Sequence, residues 1–196
     1  PAVLFVDQRL SMFFGTQVNM KSVTAAQVAA AGAWRVVDQG DRVGAVIFDD
    51  KAVTEVRLHR SKQTVLRILH ELVEKNRALS AEARIRTNPG MLNEALEGLA
   101  RTVTHDYLVV LISDFDGADA DTTRIVTRLA QHNDVLAVPI YDPSRTSLPR
   151  NGKLVVSDGE LQVEVDVGKE STRRRLLDMA DDRLASVMAW QSDLAV

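Results

Sequence analysis

Two near-continuous apolar runs constrain this chain most: Ala2-Val3-Leu4-Phe5-Val6 and Tyr107-Leu108-Val109-Val110-Leu111-Ile112. Strands buried on both faces read this way, and they belong to parallel sheets covered by helices. Each run ends in an acidic loop, Asp7 after the first and Ser113-Asp114 after the second. In open α/β sheets, ligands bind outside the carboxyl ends of the strands. Both carboxylates are therefore expected at one edge, where chemistry or metal binding usually sits.

The rest of the chain alternates in period. Residues 22–39 read as a helix with Ser22 as N-cap and Gly40 as its stop. Its apolar positions (Val23, Ala26, Val28, Ala30, Ala33, Trp34, Val37) nearly encircle it, which predicts deep packing. Residues 42–48 and 52–58 form a hairpin about Asp49-Asp50-Lys51, whose aspartates read as turn chemistry. Residues 61–79 make a second helix with a stripe at Val65, Ile68, Leu69, Leu72 and Val73. A polar loop follows over 77–86, and Pro89 opens a third helix at its first turn. A helix over 121–132 precedes another buried strand over 135–140.

This order predicts an α/β fold: a doubly wound, mostly parallel sheet with one antiparallel edge strand and helices on both faces. After residue 141 the texture changes. Residues 142–150 are a loop by composition, and 153–156 with 160–167 form a β-hairpin around Ser157-Asp158-Gly159. A long helix over 169–190 carries its stripe at Leu176, Ala180, Leu184, Val187 and Met188. Residues 1–141 are the core, and 142–196 are a C-terminal extension of the same domain. The chain begins at Pro1 almost inside a strand, so it reads as a piece of a longer protein.

A length of 196 residues suits one such domain. The net charge of -3, from 24 basic and 27 acidic residues, argues against a nucleic-acid partner. The absence of cysteine excludes a disulfide framework, a thiolate zinc site and a cysteine nucleophile. No apolar stretch is long enough to span a membrane, and no signal peptide is visible, which points to a cytoplasmic segment. A membrane anchor elsewhere in a parent protein stays compatible with this.

Three loops face the carboxyl edge. They carry Asp7, Arg9 and Ser11; Thr87 and Asn88 before Pro89-Gly90; and Asp114 and Asp116 around Phe115. Two carboxylates with the hydroxyls of Ser11 and Thr87 make an oxygen-rich cluster. Such a cluster suits a hard divalent cation, Mg2+ or Mn2+. Beside it, Met12-Phe13-Phe14 is an apolar triplet inside a surface loop. It either folds back on the core or forms the rim of a partner site.

These residues resemble a known pattern. The set Asp-x-Ser-x-Ser, then Thr, then Asp defines the metal-ion-dependent adhesion site of von Willebrand factor A-type domains. The matching positions are Asp7, Arg9, Ser11, Thr87 and Asp114. The closer resemblance is to domain of unknown function family fifty-eight, whose members have a von Willebrand A-like core. Val6-Asp7 with Ser11-Met12-Phe13-Phe14-Gly15-Thr16, Gly40-Asp41-Arg42-Val43-Gly44, Thr87-Asn88 and Leu111-Ile112-Ser113-Asp114 carry it. The resemblance implies a metal set of Asp7, Ser11, Thr87 and Asp114, and partner contacts from Arg9, Met12, Phe13, Phe14 and Asn88. It also implies a non-enzymatic adaptor or co-chaperone that works with a MoxR-type AAA+ ATPase.

Arg9 departs from the pattern, because it stands where the family has a serine ligand. A guanidinium cannot ligate a cation and brings its own charge. Pointing inward, it would pair with Asp7 or Asp114 and replace the ion; pointing outward, it would leave a weak ion site. Two other readings remain open. One is a metal-dependent phosphohydrolase using Asp7, which the chain argues against. It has Arg9 where a second carboxylate is needed, no lysine after the strand over 135–140, and no Walker loop. The other is a structural domain with a degenerate site.

Overall fold

The computed structural model describes residues 1–15, 19–79, 86–142, 153–157, 162–166 and 187–190, with Glu170 and Ala185. Strand β1 (Ala2–Asp7) lies at the centre of a five-stranded sheet of order β3-β2-β1-β4-β5. Its neighbours β2 (Val43–Phe48) and β4 (Leu108–Ser113) both run parallel to it. Strand β5 (Asp134–Pro139) continues in parallel beyond β4, and β3 (Val53–His59) closes the other edge antiparallel to β2. The fold is thus the expected α/β arrangement, a mostly parallel sheet with one antiparallel edge strand. Strands β6 (Lys153–Ser157) and β7 (Gln162–Asp166) pair as the expected hairpin. Its turn, the loop after Asp142, the loop over 80–85 and most of the C-terminal helix lie outside the described residues.

The two-residue period of β1 divides the core. Val3 and Phe5 face helices α3 (Met91–Thr102) and α4 (Ala120–Ala130), packing with Leu92, Leu96, Leu99, Leu111 and Ile125. Leu4 and Val6 face α1 (Lys21–Asp38) and α2 (Lys62–Ala78), packing with Ala25, Ala29, Ile47, Ile68 and Leu72. Val187 and Trp190 join the first core, with the Trp190 ring edge-on to Phe115 at 5.4 Å.

Local chemistry sets the helix starts. The Ser61 side chain accepts from the Thr64 N–H to cap α2. Asp119 and Thr122 form a reciprocal capping box on α4. Two expectations are corrected. Helix α1 starts at Lys21 with Met20 as N-cap, so Ser22 lies in its first turn and caps nothing. The turn of Pro89 and Gly90 precedes α3, which begins at Met91, because Gly90 takes the N-cap position. Helix α1 also buries a narrower stripe than its composition suggests. Ala25, Ala29 and Ala33, spaced by one turn, are fully buried, whereas Val23, Val28, Trp34 and Val37 are half-buried along the helix flanks.

Leu96 is fully buried between α3 and the sheet. Leu96→Ala is expected to destabilise the protein by roughly 2–5 kcal/mol, measured by urea unfolding.

Candidate adhesion edge

The sheet order reverses at β1, which has β2 on one side and β4 on the other. The crevice at that switch point lies beyond the ends of β1 and β4. Val6 is in register with Ile112, so the next residues out, Asp7 and Ser113, meet across it. The Ser113 hydroxyl donates to Asp7 Oδ2 at 2.6 Å and accepts from the Phe115 N–H at 2.8 Å.

Arg9 turns inward. Its Nε donates to Asp7 Oδ1 at 3.0 Å, its Nη2 to Oδ2 at 2.7 Å, and its backbone N–H to Oδ1 at 3.0 Å. The guanidinium lies 5.5 Å from the centroid of the Phe48 ring. Both residues are buried, Asp7 at 0% and Arg9 at 1% exposure. All the groups bonded to Asp7 are donors, the environment of an ionised carboxylate. Burial pushes the Asp7 carboxyl up from its ordinary value, and the Asp114 charge adds to this, while Arg9 and Ser113 pull it down. Burial works to lower Arg9, but the charges of Asp7, Asp114 and Asp116 outweigh it and raise the value.

Asp114 has a second cation. Lys21 Nζ donates to its Oδ2 at 2.6 Å, and Arg9 Nη2 stands 3.9 Å from Oδ1. The Asp116 N–H donates to the same Oδ1 at 3.0 Å, and the Ser11 hydroxyl lies at 3.4 Å. Burial works to raise the Asp114 carboxyl, but Lys21 and these bonds hold it below the ordinary 3.8.

The loop before α3 is tied in by its backbone. The Pro89 carbonyl accepts from Arg9 Nη1 at 3.4 Å. Asp50 accepts from the Leu10 N–H at 2.6 Å and the Asn88 N–H at 2.8 Å, so one buried carboxylate joins two loops. Gly117 has a φ of +79°, and a Cβ there would come within 2.8 Å of Pro89 Cβ, so the third loop presses on the second.

The residues singled out in the sequence divide accordingly. Asp7, Arg9, Ser11 and Asp114 meet in one cluster. Thr87 is exposed, and among the described residues its hydroxyl bonds neither carboxylate. Asn88 contributes its backbone N–H to Asp50. Met12 is fully buried in the core beneath α1, because the 3-10 turn Leu10–Met12 points it inward; this corrects its placement on a partner rim. Phe13 is half-buried, and Phe14 is 47% exposed.

Sequence reasoning gave Lys21 and Gln8 no place in this edge, gave Ser113 a place in its third loop but no role, and read Asp50 as turn chemistry. Lys21 carried a signal, since a cation in the first turn opposes the helix dipole unless an anion meets it. Asp49 makes the turn, accepting from the Lys51 and Ala52 N–H groups, and leaves Asp50 free for the loops. Buried Gln8 donates to the Ser22 carbonyl and accepts from Asn76, joining the end of β1 to α1 and α2.

The donors present do not fit a divalent ion in this arrangement. An arginine fork covers both oxygens of Asp7, and Lys21 holds Asp114. Among the described residues, no three His, Cys, Asp or Glu side chains gather closely enough to hold a metal.

Arg9→Ala would leave Asp7 buried without its counter-charge. It is expected to cost roughly 3–5 kcal/mol in chemical unfolding. Lys21→Met is expected to cost about 2 kcal/mol near neutrality. The folded Asp114 value is depressed below 3.8, so its stabilisation is complete above that pH and is lost as pH falls through the folded value. Unfolding curves of wild type and Lys21→Met should therefore converge on acidification.

An uncharacterized protein of Mycobacterium bovis is 30% identical over 195 residues, covering 98% of this chain. An uncharacterized protein of Mycobacterium tuberculosis strain H37Rv matches to the same extent. The chain spans 56% of the length of each. The solved von Willebrand A domain of SpRpn10 aligns at 10% identity and a TM-score of 0.37, over 71% of this chain and 88% of its own. The model of the family described as "Protein of unknown function DUF58" matches residues 2–185, and the chain belongs to that family.

Proposed function

We propose that this domain is a non-enzymatic protein–protein interaction module that docks a partner at the carboxyl edge of its sheet. The observation that carries this is an exposed aromatic residue, Phe14, beside a charge cluster that is already satisfied internally. The Phe14 carbonyl accepts from the Lys21 N–H at 2.8 Å, so the aromatic rim and the cluster share one backbone segment. Exposed Thr87 and half-buried Phe13 extend the accessible rim. Large aromatic side chains supply contact area at such edges, and polar neighbours set the register.

The geometry speaks against Asp7 as a nucleophile. Its carboxylate is fully buried, and Arg9 and Ser113 occupy both oxygens. The family resemblance supplies the partner class: a MoxR-type AAA+ ATPase in the cytoplasm, with this domain as adaptor or co-chaperone. Among the described residues, no helix is long and apolar enough to cross a membrane.

The test is binding of a purified MoxR-type ATPase from the same genome to the immobilised chain. Phe14→Asp is expected to weaken binding at least tenfold, the effect of roughly 1.4 kcal/mol. Equal binding by wild type and Phe14→Asp would remove this edge as the docking surface. Turnover of phosphate esters abolished by Asp7→Asn would replace the adaptor reading with an enzymatic one.

A further inference from the structure

We propose that Arg9 and Lys21 are resident cations of this edge, so that tethered side chains do the work of a divalent ion and the edge holds its shape metal-free. The role of Lys21 and the completeness of the substitution come from the geometry.

A carboxylate offers about four lone-pair positions. At Asp7 four donors fill them: the Arg9 N–H and Nε, its Nη2, and the Ser113 hydroxyl, at 2.6–3.0 Å. No lone pair is left to ligate an ion. At Asp114, Lys21 takes Oδ2, while the Asp116 N–H and Ser11 share Oδ1. Two positive side chains thus meet two negative ones, so the carboxylates no longer repel each other without relief.

Displacing these cations would be costly. Arg9 is 1% exposed, and the Phe48 ring faces its guanidinium. Swinging it out would leave Asp7 buried and uncompensated. An ion approaching Asp114 instead would meet Lys21 at 2.6 Å and Arg9 at 3.9 Å from that carboxylate, like charges in a partly dry site. The same two side chains perform the cross-linking expected of an ion. Arg9 joins the first loop to the loop before α3 through the Pro89 carbonyl, and Lys21 joins the start of α1 to the loop after β4.

Calorimetric titration of wild-type protein with MgCl2 and MnCl2, and thermal unfolding with either salt or with EDTA, test this directly. The expected result is no saturable heat and no shift of the midpoint. A saturable response in the millimolar range or tighter, lost in Asp114→Asn, overturns the proposal. Arg9→Ser restores the serine of the adhesion pattern and frees Asp7. It is expected to lower the midpoint in EDTA, with a rise on adding Mn2+. An Arg9→Ser variant as stable as wild type in EDTA would also overturn the proposal. No partner enters these measurements, so their failure is distinct from failure of the docking reading.

Discussion

The buried ion pair between Asp7 and Arg9 is the constraint on which the rest of the edge depends. Asp7 ends the central strand, and among the described residues Arg9 alone supplies a full positive charge to both of its oxygens. The pair contributes little net stability compared with an apolar substitute, because two charges must leave water. Its effect lies in geometry. A planar fork bonded to two oxygens fixes the direction of the guanidinium, and the remaining Nη1 then reaches the Pro89 carbonyl. The first loop and the loop before α3 are held together through one side chain.

Asp50 and Gln8 repeat this logic around the pair. Each is buried, and each joins elements distant in sequence: Asp50 the Leu10 and Asn88 amides, Gln8 the Ser22 carbonyl and the Asn76 amide. Loops at the end of a sheet would otherwise move independently. Here their backbones are bonded to side chains that cannot leave the core without exposing a charge or an unpaired amide. Above this base, among the described residues, Phe14 and Thr87 are exposed and Phe13 is half-buried. A rigid base under a few accessible side chains favours binding, because little conformational freedom remains to be lost on association.

The strand and helix order was legible because each strand run is short and apolar while each helix keeps a longer period. Ala2–Asp7 and Leu108–Ser113 show this most clearly. Asp7 and Asp114 were legible because strand-end carboxylates at a switch point have few other uses. The direction of Arg9 was not, since an arginine two residues after a strand can point either way. Its bonds to both oxygens of Asp7 and its burial show that it turns inward. Lys21 was hidden by distance, as it lies 93 residues from the carboxylate it meets. Met12 was ambiguous for a similar reason, because one 3-10 turn rotates it into the core and leaves Phe14 outside.

The position of Asp114 rests on a strained neighbour. Phe115 has a φ of 55°, in the left-handed region where a non-glycine residue costs about 1–2 kcal/mol. Two contacts oppose that cost. Its N–H donates to Ser113 Oγ at 2.8 Å, and its ring is buried edge-on to Trp190. The bend turns the chain so that the Phe115 ring enters the core while Asp114 on one side faces Lys21 and Arg9. The charge cluster therefore depends on a hydrophobic contact from the far end of the chain as well as on the sheet.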